Sequence, residues 1–153
     1  MIIDSHCHLD RINLDRYEDK LSNALDAARE RGVDGFLCIS ISLENLQNVV
    51  DIAQAERNVW ASVGVHPLDV ESGTADVAAL QTFAAQDKVV AIGETGLDYY
   101  YSQDSKTLQQ ESFAAHLQAA GAVDLPVVVH TRDAREDTLS LIKSEGKQDS
   151  SGV

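Results

Sequence analysis

Two histidines separated by one residue, His6 and His8, end an apolar run that begins at the first residue of the chain. Side chains of a β-strand alternate between its faces, so both imidazoles point to one side while Cys7 points to the other. Two imidazoles on one face can bind a divalent metal ion, and Asp4, with the same parity, could orient them from below. A histidine pair at a partly exposed strand end can also be incidental, so the metal prediction depends on further ligands.

Further candidate ligands follow later predicted strands. His66 follows the third strand, Glu94 the fourth and His130 the fifth. Histidines supply neutral nitrogen ligands, whereas Glu94 has two oxygens and could bridge two ions of zinc, manganese or magnesium. Two ions about 3.5–4 Å apart could hold a hydroxide between them and stabilise an in-line displacement at phosphorus. The residues therefore predict a two-metal hydrolytic site, with Glu94 as its catalytic residue and four ligands: His6, His8, Glu94 and His130.

Two residues on the same rim are candidates for binding substrate. His66 precedes Pro67, so a structural role in a turn is the alternative to substrate contact. Arg132 can donate two parallel hydrogen bonds to a phosphate, and the alternative is an ion pair with Asp133 or Asp98. We predict substrate contacts for both His66 and Arg132.

Three other features allow less specific predictions. Asp98 could orient a metal ligand or cap a helix. Residues 99–101 are all tyrosine and could stack on a nucleobase, although a loop that packs over the sheet explains them equally well. His116 falls within a predicted helix away from the strand ends, and we expect it on the surface.

Apolar runs that alternate with helical periodicity predict five βα units in a parallel sheet. The ligand-rich positions lie at the strand ends, which fits both a (β/α)8 barrel and a doubly wound sheet. Several histidines and a carboxylate favour a metal site over a nucleotide fold, and the sequence has no Gly-x-Gly-x-x-Gly or Walker loop. The predicted strands are 1–8, 35–40, 59–65, 89–92 and 126–129. The first predicted helix is 17–31, and Ser42 is expected to cap the second, which buries Leu46, Val49, Val50 and Ala53. The third helix is expected to bury Val77, Leu80 and Phe83 or Ala84, the fourth Leu108, Phe113, Leu117 and Ala120, and the fifth Leu139 and Ile142; residues 146–153 form an aperiodic tail.

Composition limits the class of protein. A length of 153 residues suits one domain, and a formal net charge of −13 argues against broad electrostatic binding of nucleic acid. Cys7 and Cys38 form neither a disulfide framework nor a Cys-x-x-Cys site, which favours a reducing compartment. Neither a signal peptide nor a membrane span is expected, because Asp4 interrupts the first apolar run. We therefore expect a cytoplasmic protein.

The chain contains four motifs in order: Asp-Ser-His-Cys-His-Leu-Asp at 4–10, Gly-Val-His-Pro at 64–67, Gly-Glu-Thr-Gly-Leu-Asp-Tyr at 93–99 and Pro-Val-Val-Val-His-Thr-Arg-Asp-Ala at 126–134. These motifs resemble those of the TatD family of metal-dependent deoxyribonucleases, and especially its YcfH-type branch. The resemblance implies a TIM (β/α)8 barrel of the amidohydrolase superfamily, two divalent metal ions and hydrolysis of DNA phosphodiester bonds. It also implies that His6, His8, Glu94 and His130 match metal ligands of the family.

The chain departs from the family pattern after its fifth unit. The family continues with a His-Cys-Phe motif on a sixth strand and a Thr-Asp-Ser-Pro motif on an eighth, which supply a histidine ligand and an aspartate that is a ligand and base. Residues 1–153 are therefore expected to form a single, C-terminally incomplete domain with about five of eight units. Its open sheet edges predict self-association. The alternatives to a deoxyribonuclease are an enzyme that hydrolyses a small ester, amide or lactone, and an inactive fragment.

Overall fold

The structure is a computed structural model that describes residues 2–146. Five strands alternate with five helices, as predicted, and three short 3-10 turns lie between them. Residues 147–153 of the predicted aperiodic tail and Met1 of the predicted first strand lie outside the described residues. The strands are Ile2–Cys7 (β1), Val33–Cys38 (β2), Val59–Val63 (β3), Val89–Asp98 (β4) and Val127–Arg132 (β5), and the helices are Leu21–Arg29 (α1), Leu46–Ala55 (α2), Val77–Ala84 (α3), Lys106–Val123 (α4) and Arg135–Glu145 (α5).

The five strands form one parallel sheet in the order β1-β2-β3-β4-β5. A doubly wound sheet reverses its strand order at a switch point, whereas consecutive units of a (β/α) barrel keep the order of the chain. The sheet order therefore favours the barrel over the doubly wound alternative.

Helices cover one face of this sheet. The predicted stripe of α2 is fully buried, with Leu46, Val49, Val50 and Ala53 each at most 1% exposed. The opposite face is more open, because Trp60 and Val90 alternate with buried neighbours and remain 36% and 37% exposed. Hydrophobic burial is therefore concentrated between the sheet and its helices.

Two predicted helix starts are wrong. The first helix was expected from residue 17, but Asp15–Tyr17 is a separate 3-10 turn and α1 begins at Leu21. Glu18 and Asp19 between them have φ of 57° and 54°, left-handed values that interrupt a right-handed helix. Ser42 does not cap α2, which follows Asn45 instead.

The fourth strand is longer than predicted, and this changes the position of Glu94. Instead of ending at Ile92, β4 continues to Asp98, so Glu94 lies inside the strand rather than after it. The extension is possible because the second half of β4 pairs with β5, with Gly96 opposite His130. Gly96 has φ of 136°, and a Cβ atom there would collide with the His130 carbonyl group, so the close approach of the two strands requires glycine.

The predicted inward face of α5 is also wrong. Leu139 and Ile142 are 45% and 37% exposed, whereas Thr138 is buried. Leu141 packs against the main core instead. The buried side of α5 thus contains both a polar residue, Thr138, and an apolar one, Leu141. The spacing of hydrophobic residues alone does not identify this side.

His116 is buried in α4, which corrects the expectation of a surface position. Its side chain is fully buried. Nε2 accepts a hydrogen bond from the backbone N–H of Val65 at 3.0 Å, and Nδ1–H donates to the carbonyl of Ser112 at 2.7 Å. Residue 116 shares the helical face of Phe113 and Ala120, so the spacing carried a signal that the polarity of histidine concealed.

The two cysteines are free thiols on neighbouring strands, where Cys7 pairs in register with Cys38. Burial raises the pKa of Cys7 to about 12 and that of Cys38 to about 11, so both remain protonated near neutral pH. Within residues 2–146, every helix is too short or too polar to cross a membrane.

The buried imidazole of His116 predicts a pH-dependent stability. Burial lowers its pKa to about 4 in the folded chain, while the unfolded chain titrates near ~6.5. The unfolded state binds more protons between these values, so the free energy of unfolding should fall by up to about 3 kcal/mol as pH decreases from ~6.5 to ~4. Urea unfolding across this range measures the effect. His116→Gln is the matched variant, because its amide does not titrate, and an identical pH dependence in both proteins would contradict the prediction.

The open edges of the sheet predict self-association. Among the described residues, β1 pairs only with β2, and Ile2 and Ile3 on this edge strand are 57% and 54% exposed. Unpaired apolar edges associate with other strands, so the sedimentation coefficient should rise with concentration, and Ile3→Lys should weaken the rise. Leu68→Lys, which replaces an exposed apolar residue in the loop after the middle strand β3, is the control. A compact monomer at every concentration would contradict the prediction.

Candidate metal centre

Four imidazoles surround the carboxylate of Glu94, which lies in the middle of β4. They come from the end of β1, the loop after β3 and the second half of β5. Two overlapping groups of side chains place their ligand atoms within 4.8 Å of one another. Glu94 belongs to both groups and is only 9% exposed. The first group is His6, His8 and Glu94, and the second is His66, Glu94 and His130.

The two oxygens of Glu94 face different histidines. Oε2 lies 3.3 Å from Nε2 of His6, while Oε1 lies 3.5 Å from Nδ1 of His130. Burial alone would raise the pKa of Glu94, but a hydrogen bond from Nδ1–H of His130 in its protonated form and the neighbouring imidazoles outweigh burial and lower it. The carboxylate is therefore ionised at neutral pH, with one oxygen directed toward each group.

Asp98 determines which nitrogen of His130 faces Glu94. Nε2–H of His130 donates to Oδ2 of the buried Asp98 at 3.0 Å, so the Nδ1 lone pair points toward Glu94. When the ring is protonated, Nδ1–H can also donate to Glu94. This hydrogen bond raises the pKa of His130, and the bond to Asp98 adds to the effect against the opposing cost of burial. A carboxylate that receives the second N–H of an imidazole is the usual support of a metal-binding histidine.

His8 is oriented in a comparable way by the backbone. Its Nδ1–H donates to the carbonyl of Ile39 at 3.0 Å, which leaves Nε2 as the nitrogen with a free lone pair. Asp4 accepts a hydrogen bond from the backbone N–H of His6 at 3.2 Å, so its contact is with the main chain of the strand rather than with an imidazole.

His66 presents a proton rather than a lone pair. Its Nδ1 accepts the backbone N–H of Leu68 at 3.1 Å, so Nε2 carries the hydrogen of the neutral ring. That N–H lies 3.3 Å from Nδ1 of His130 and 3.9 Å from Oε1 of Glu94. Burial lowers the pKa of His66 and keeps the ring neutral. This tautomer argues against metal ligation by His66 and favours the predicted substrate contact.

Arg132 forms neither of the ion pairs that were the alternative to phosphate binding. Within the described part of the chain, its guanidinium lies over the rings of Tyr100 and Tyr101, 4.1 and 4.5 Å from the ring centroids. Asp98, one of the alternative partners, instead accepts hydrogen bonds from His130 and from the loop after β4.

Gln109 is a supporting residue that the sequence did not reveal. It is fully buried in α4, accepts the backbone N–H of Asp98 at 2.8 Å and donates to the carbonyl of Asp98 at 3.1 Å. It also donates to the carbonyl of Ser102 at 2.9 Å. These bonds connect α4 to the end of β4 and therefore hold the support of His130 in place. A lone glutamine at helical spacing gives no signal of this role.

The donor set fits a divalent metal ion. Several imidazoles and one ionised carboxylate, converging at low exposure, are ligands that zinc and manganese accept. Burying an ionised carboxylate next to neutral imidazoles also costs free energy of desolvation, and a bound cation would offset that cost. The arrangement can thus hold a Lewis acid beside an N–H donor.

Comparison with known proteins identifies related sequences. A family model described as TatD related DNase matches residues 3–153. The metal-dependent hydrolase YcfH of Escherichia coli strain K12 is 41% identical over 99% of this chain and 57% of its own length. The 3'-5' ssDNA/RNA exonuclease TatD of Shigella flexneri serotype 5b is 35% identical over 82% of this chain and 47% of its own length.

Solved structures agree with these sequence matches. YJJV, a TatD homologue from Escherichia coli K12, matches with a TM-score of 0.78 and 28% identity over 94% of this chain and 56% of that chain. A TatD family hydrolase from Entamoeba histolytica matches with a TM-score of 0.77 and 26% identity over 93% of this chain and 53% of that chain. The predicted barrel fold is confirmed, and the five units form a half-barrel. The chain spans about half the length of these relatives.

The contact between Asp98 and His130 predicts the effect of one substitution on metal affinity. Asp98→Asn keeps an oxygen for the loop amides but removes the charge that receives Nε2–H, so affinity for Zn²⁺ or Mn²⁺ should fall about 10–100-fold. Competition with a chromophoric chelator measures this. Asp133→Asn removes an exposed charge nearby and should leave affinity unchanged. Equal affinity of wild type and Asp98→Asn would contradict the assignment of His130 as a ligand.

Proposed function

We propose, from the premise that this chain belongs to the TatD related DNase family, that it carries part of the active site of a metal-dependent deoxyribonuclease. The observation that supports this most directly is the position of Glu94, whose two oxygens face separate groups of histidines at 3.3 and 3.5 Å. A carboxylate arranged in this way is suited to bridge two divalent ions. The names of the family and of its relatives point to hydrolysis and, in part, to nucleic acid as substrate.

Four side chains are proposed to hold the ions. His6 and His8 would bind through one side of the site, His130 through Nδ1 on the other, and Glu94 between them. Bound divalent ions supply Lewis acidity, which favours ionisation of water near neutral pH and neutralises charge on a phosphoryl group. The preference of nitrogen-rich sites makes zinc or manganese a better candidate than magnesium.

The chain itself contributes directed hydrogen bonds. Nε2–H of His66 points toward the site from 3.9 Å away from Glu94, and we propose that it donates to a phosphoryl oxygen of the substrate. The backbone N–H of Leu68 keeps this tautomer fixed, because it occupies Nδ1. His66 would thus stabilise negative charge without itself being charged.

Arg132 is proposed to bind the phosphate backbone. Its guanidinium carbon lies 4.1 and 4.5 Å from the centroids of the rings of Tyr100 and Tyr101, and a guanidinium packed in this way can still donate to a phosphate through the N–H groups at its edge. A local cation matters in a chain with a net charge of −13, since the surrounding carboxylates otherwise repel DNA.

The proposed substrate is single-stranded DNA or a DNA end, and the proposed location is the cytoplasm. The exonuclease name of the Shigella relative supports the first proposal. Two free thiols with raised pKa values support the second, because they suit a reducing compartment.

Cleavage of single-stranded DNA in Mn²⁺ or Zn²⁺, with and without a chelator, tests the proposal. Wild type should cleave only with metal. The cleavage rate of Glu94→Gln should be at least about 100-fold lower than that of wild type, because the variant loses the negative charge proposed to lie between the ions. Glu30→Gln, at an exposed position between the end of α1 and the start of β2, is the matched control and should cleave normally.

Two outcomes would contradict the proposal. If a small aryl ester, an amide or a lactone is hydrolysed while DNA is not, the chain carries a different hydrolase site. If neither DNA nor the small substrates are cleaved in the presence of metal, residues 1–153 do not complete an active site. Circular dichroism of each variant separates loss of activity from loss of fold.

A further inference from the structure

Two of the three consecutive tyrosines after β4 remain largely exposed to solvent. The hydroxyl of Tyr99 donates to Asp137 at 2.8 Å and accepts a hydrogen bond from Gln110 at 2.7 Å, so packing of the loop explains this residue. Tyr100 and Tyr101 are 56% and 64% exposed. Large aromatic side chains that remain in water gain little for the fold and are typical of binding surfaces.

The exposed rings form one surface with Arg132. Tyr100 and Tyr101 meet edge to face, with ring centroids 4.7 Å apart and an interplanar angle of 88°. The guanidinium of Arg132 lies over both rings. Aromatic rings and a guanidinium plane are the two groups on which unpaired nucleobases stack in single-strand binding proteins.

Asp98 fixes the position of this surface relative to the candidate metal centre. Its Oδ1 accepts the backbone N–H groups of Tyr100 and Tyr101 at 3.0 and 2.9 Å, while Oδ2 accepts Nε2–H of His130 at 3.0 Å. One buried carboxylate therefore holds both the loop and a candidate ligand. A surface fixed in this way needs little reordering when it binds, which reduces the entropic cost of association.

An open depression lies beside Tyr100 and has room for a planar ligand. Its volume is about 540 Å³, within the range of ~300–1,000 Å³ typical of small-molecule sites. Lys106 lies on its border, with Nζ 4.2 Å from the ring centroid of Tyr99. Lys106, which also pairs with Asp137 at 3.3 Å, and Arg132 both place positive charge against the tyrosines, and this charge would attract a phosphodiester backbone.

We propose that Tyr100, Tyr101 and Arg132 form a stacking site for one unpaired nucleobase of the strand whose phosphodiester lies at the metal centre. This proposal rests on the proposed function, which it extends by naming the part of the substrate that the rim recognises. Every nucleobase has a flat π face, so the site selects unpaired strands or frayed ends rather than a particular sequence.

The test uses the whole 153-residue chain with Mn²⁺ and short single-stranded DNAs that carry 2-aminopurine at one terminus or the other. Phosphorothioate linkages slow cleavage of these strands. Stacking on an aromatic ring quenches the fluorescence of 2-aminopurine, and the anisotropy of a dye at the opposite terminus reports affinity. Tyr100→Leu/Tyr101→Leu removes the π faces, while Tyr100→Phe/Tyr101→Phe keeps them and is the matched control.

Wild type and the double phenylalanine variant should quench a terminal base, whereas the double leucine variant should lose the quenching and bind about tenfold more weakly. Both positions are exposed, so the variants should fold, and circular dichroism checks this. Quenching and affinity in the leucine variant equal to those of wild type would overturn the stacking site. So would the absence of 2-aminopurine quenching at both termini when the DNA is fully bound by wild type.

Cleavage of an unmodified strand by wild type keeps the two proposals distinguishable. If wild type cleaves DNA and the leucine variant stacks the base normally, only the stacking site fails. If wild type does not cleave but its quenching is lost in the leucine variant, the nucleobase site stands and the proposed hydrolysis fails.

Discussion

The ionised carboxylate of Glu94, buried within a central strand, is the constraint on which the rest of the site depends. A buried charge is stable only when hydrogen bonds and opposite charge surround it. Here the surrounding groups come from β1, from the loop after β3 and from β5, so three separate parts of the chain must reach one position. The glycine at position 96 lets β5 approach closely enough for His130 to take part. The register between β4 and β5 therefore determines whether His130 reaches Glu94.

A second layer of polar contacts holds this arrangement from the helix side of the sheet. Gln109 binds both backbone groups of Asp98, and His116 binds the N–H of Val65 next to His66. Both residues come from α4 and are fully buried. One helix thus supports two sides of the site, and its polar core residues act by positioning strand ends rather than by chemistry. Such residues cost stability when they lose a partner, because each leaves an unpaired group behind.

The sequence predicted the architecture better than the details of the site. Alternating apolar runs and helical stripes are consequences of burial, and the stripe of α2 is buried as its spacing required. The positions of Leu139 and His116 were predicted wrongly. His116 is buried despite its polarity because its ring has hydrogen-bonding partners inside the protein. In α5, Thr138 is buried and Leu139 is exposed, the reverse of what their hydrophobicity indicates. The convergence of His6 and of His130 on Glu94 was predicted from positions near strand ends, although Glu94 itself lies inside β4. The tautomers of His66 and His130 could not be predicted, because they depend on single contacts with Leu68 and Asp98 that have no periodic signature.

The order of strands in the sheet has a consequence for how the chain folds. Each strand lies beside the strands that precede and follow it in the sequence, so every pairing closes a loop of only one helix and its turns. The entropy lost on closing a loop rises with its length, and local contacts speed folding. Assembly can therefore begin at any adjacent pair and extend outward in either direction, one unit at a time. The proposed metal ligands of β1 and β5 lie on the two edge strands of the sheet that residues 2–146 form. They come together only when the sheet between them is complete, so the candidate centre is among the last features to form.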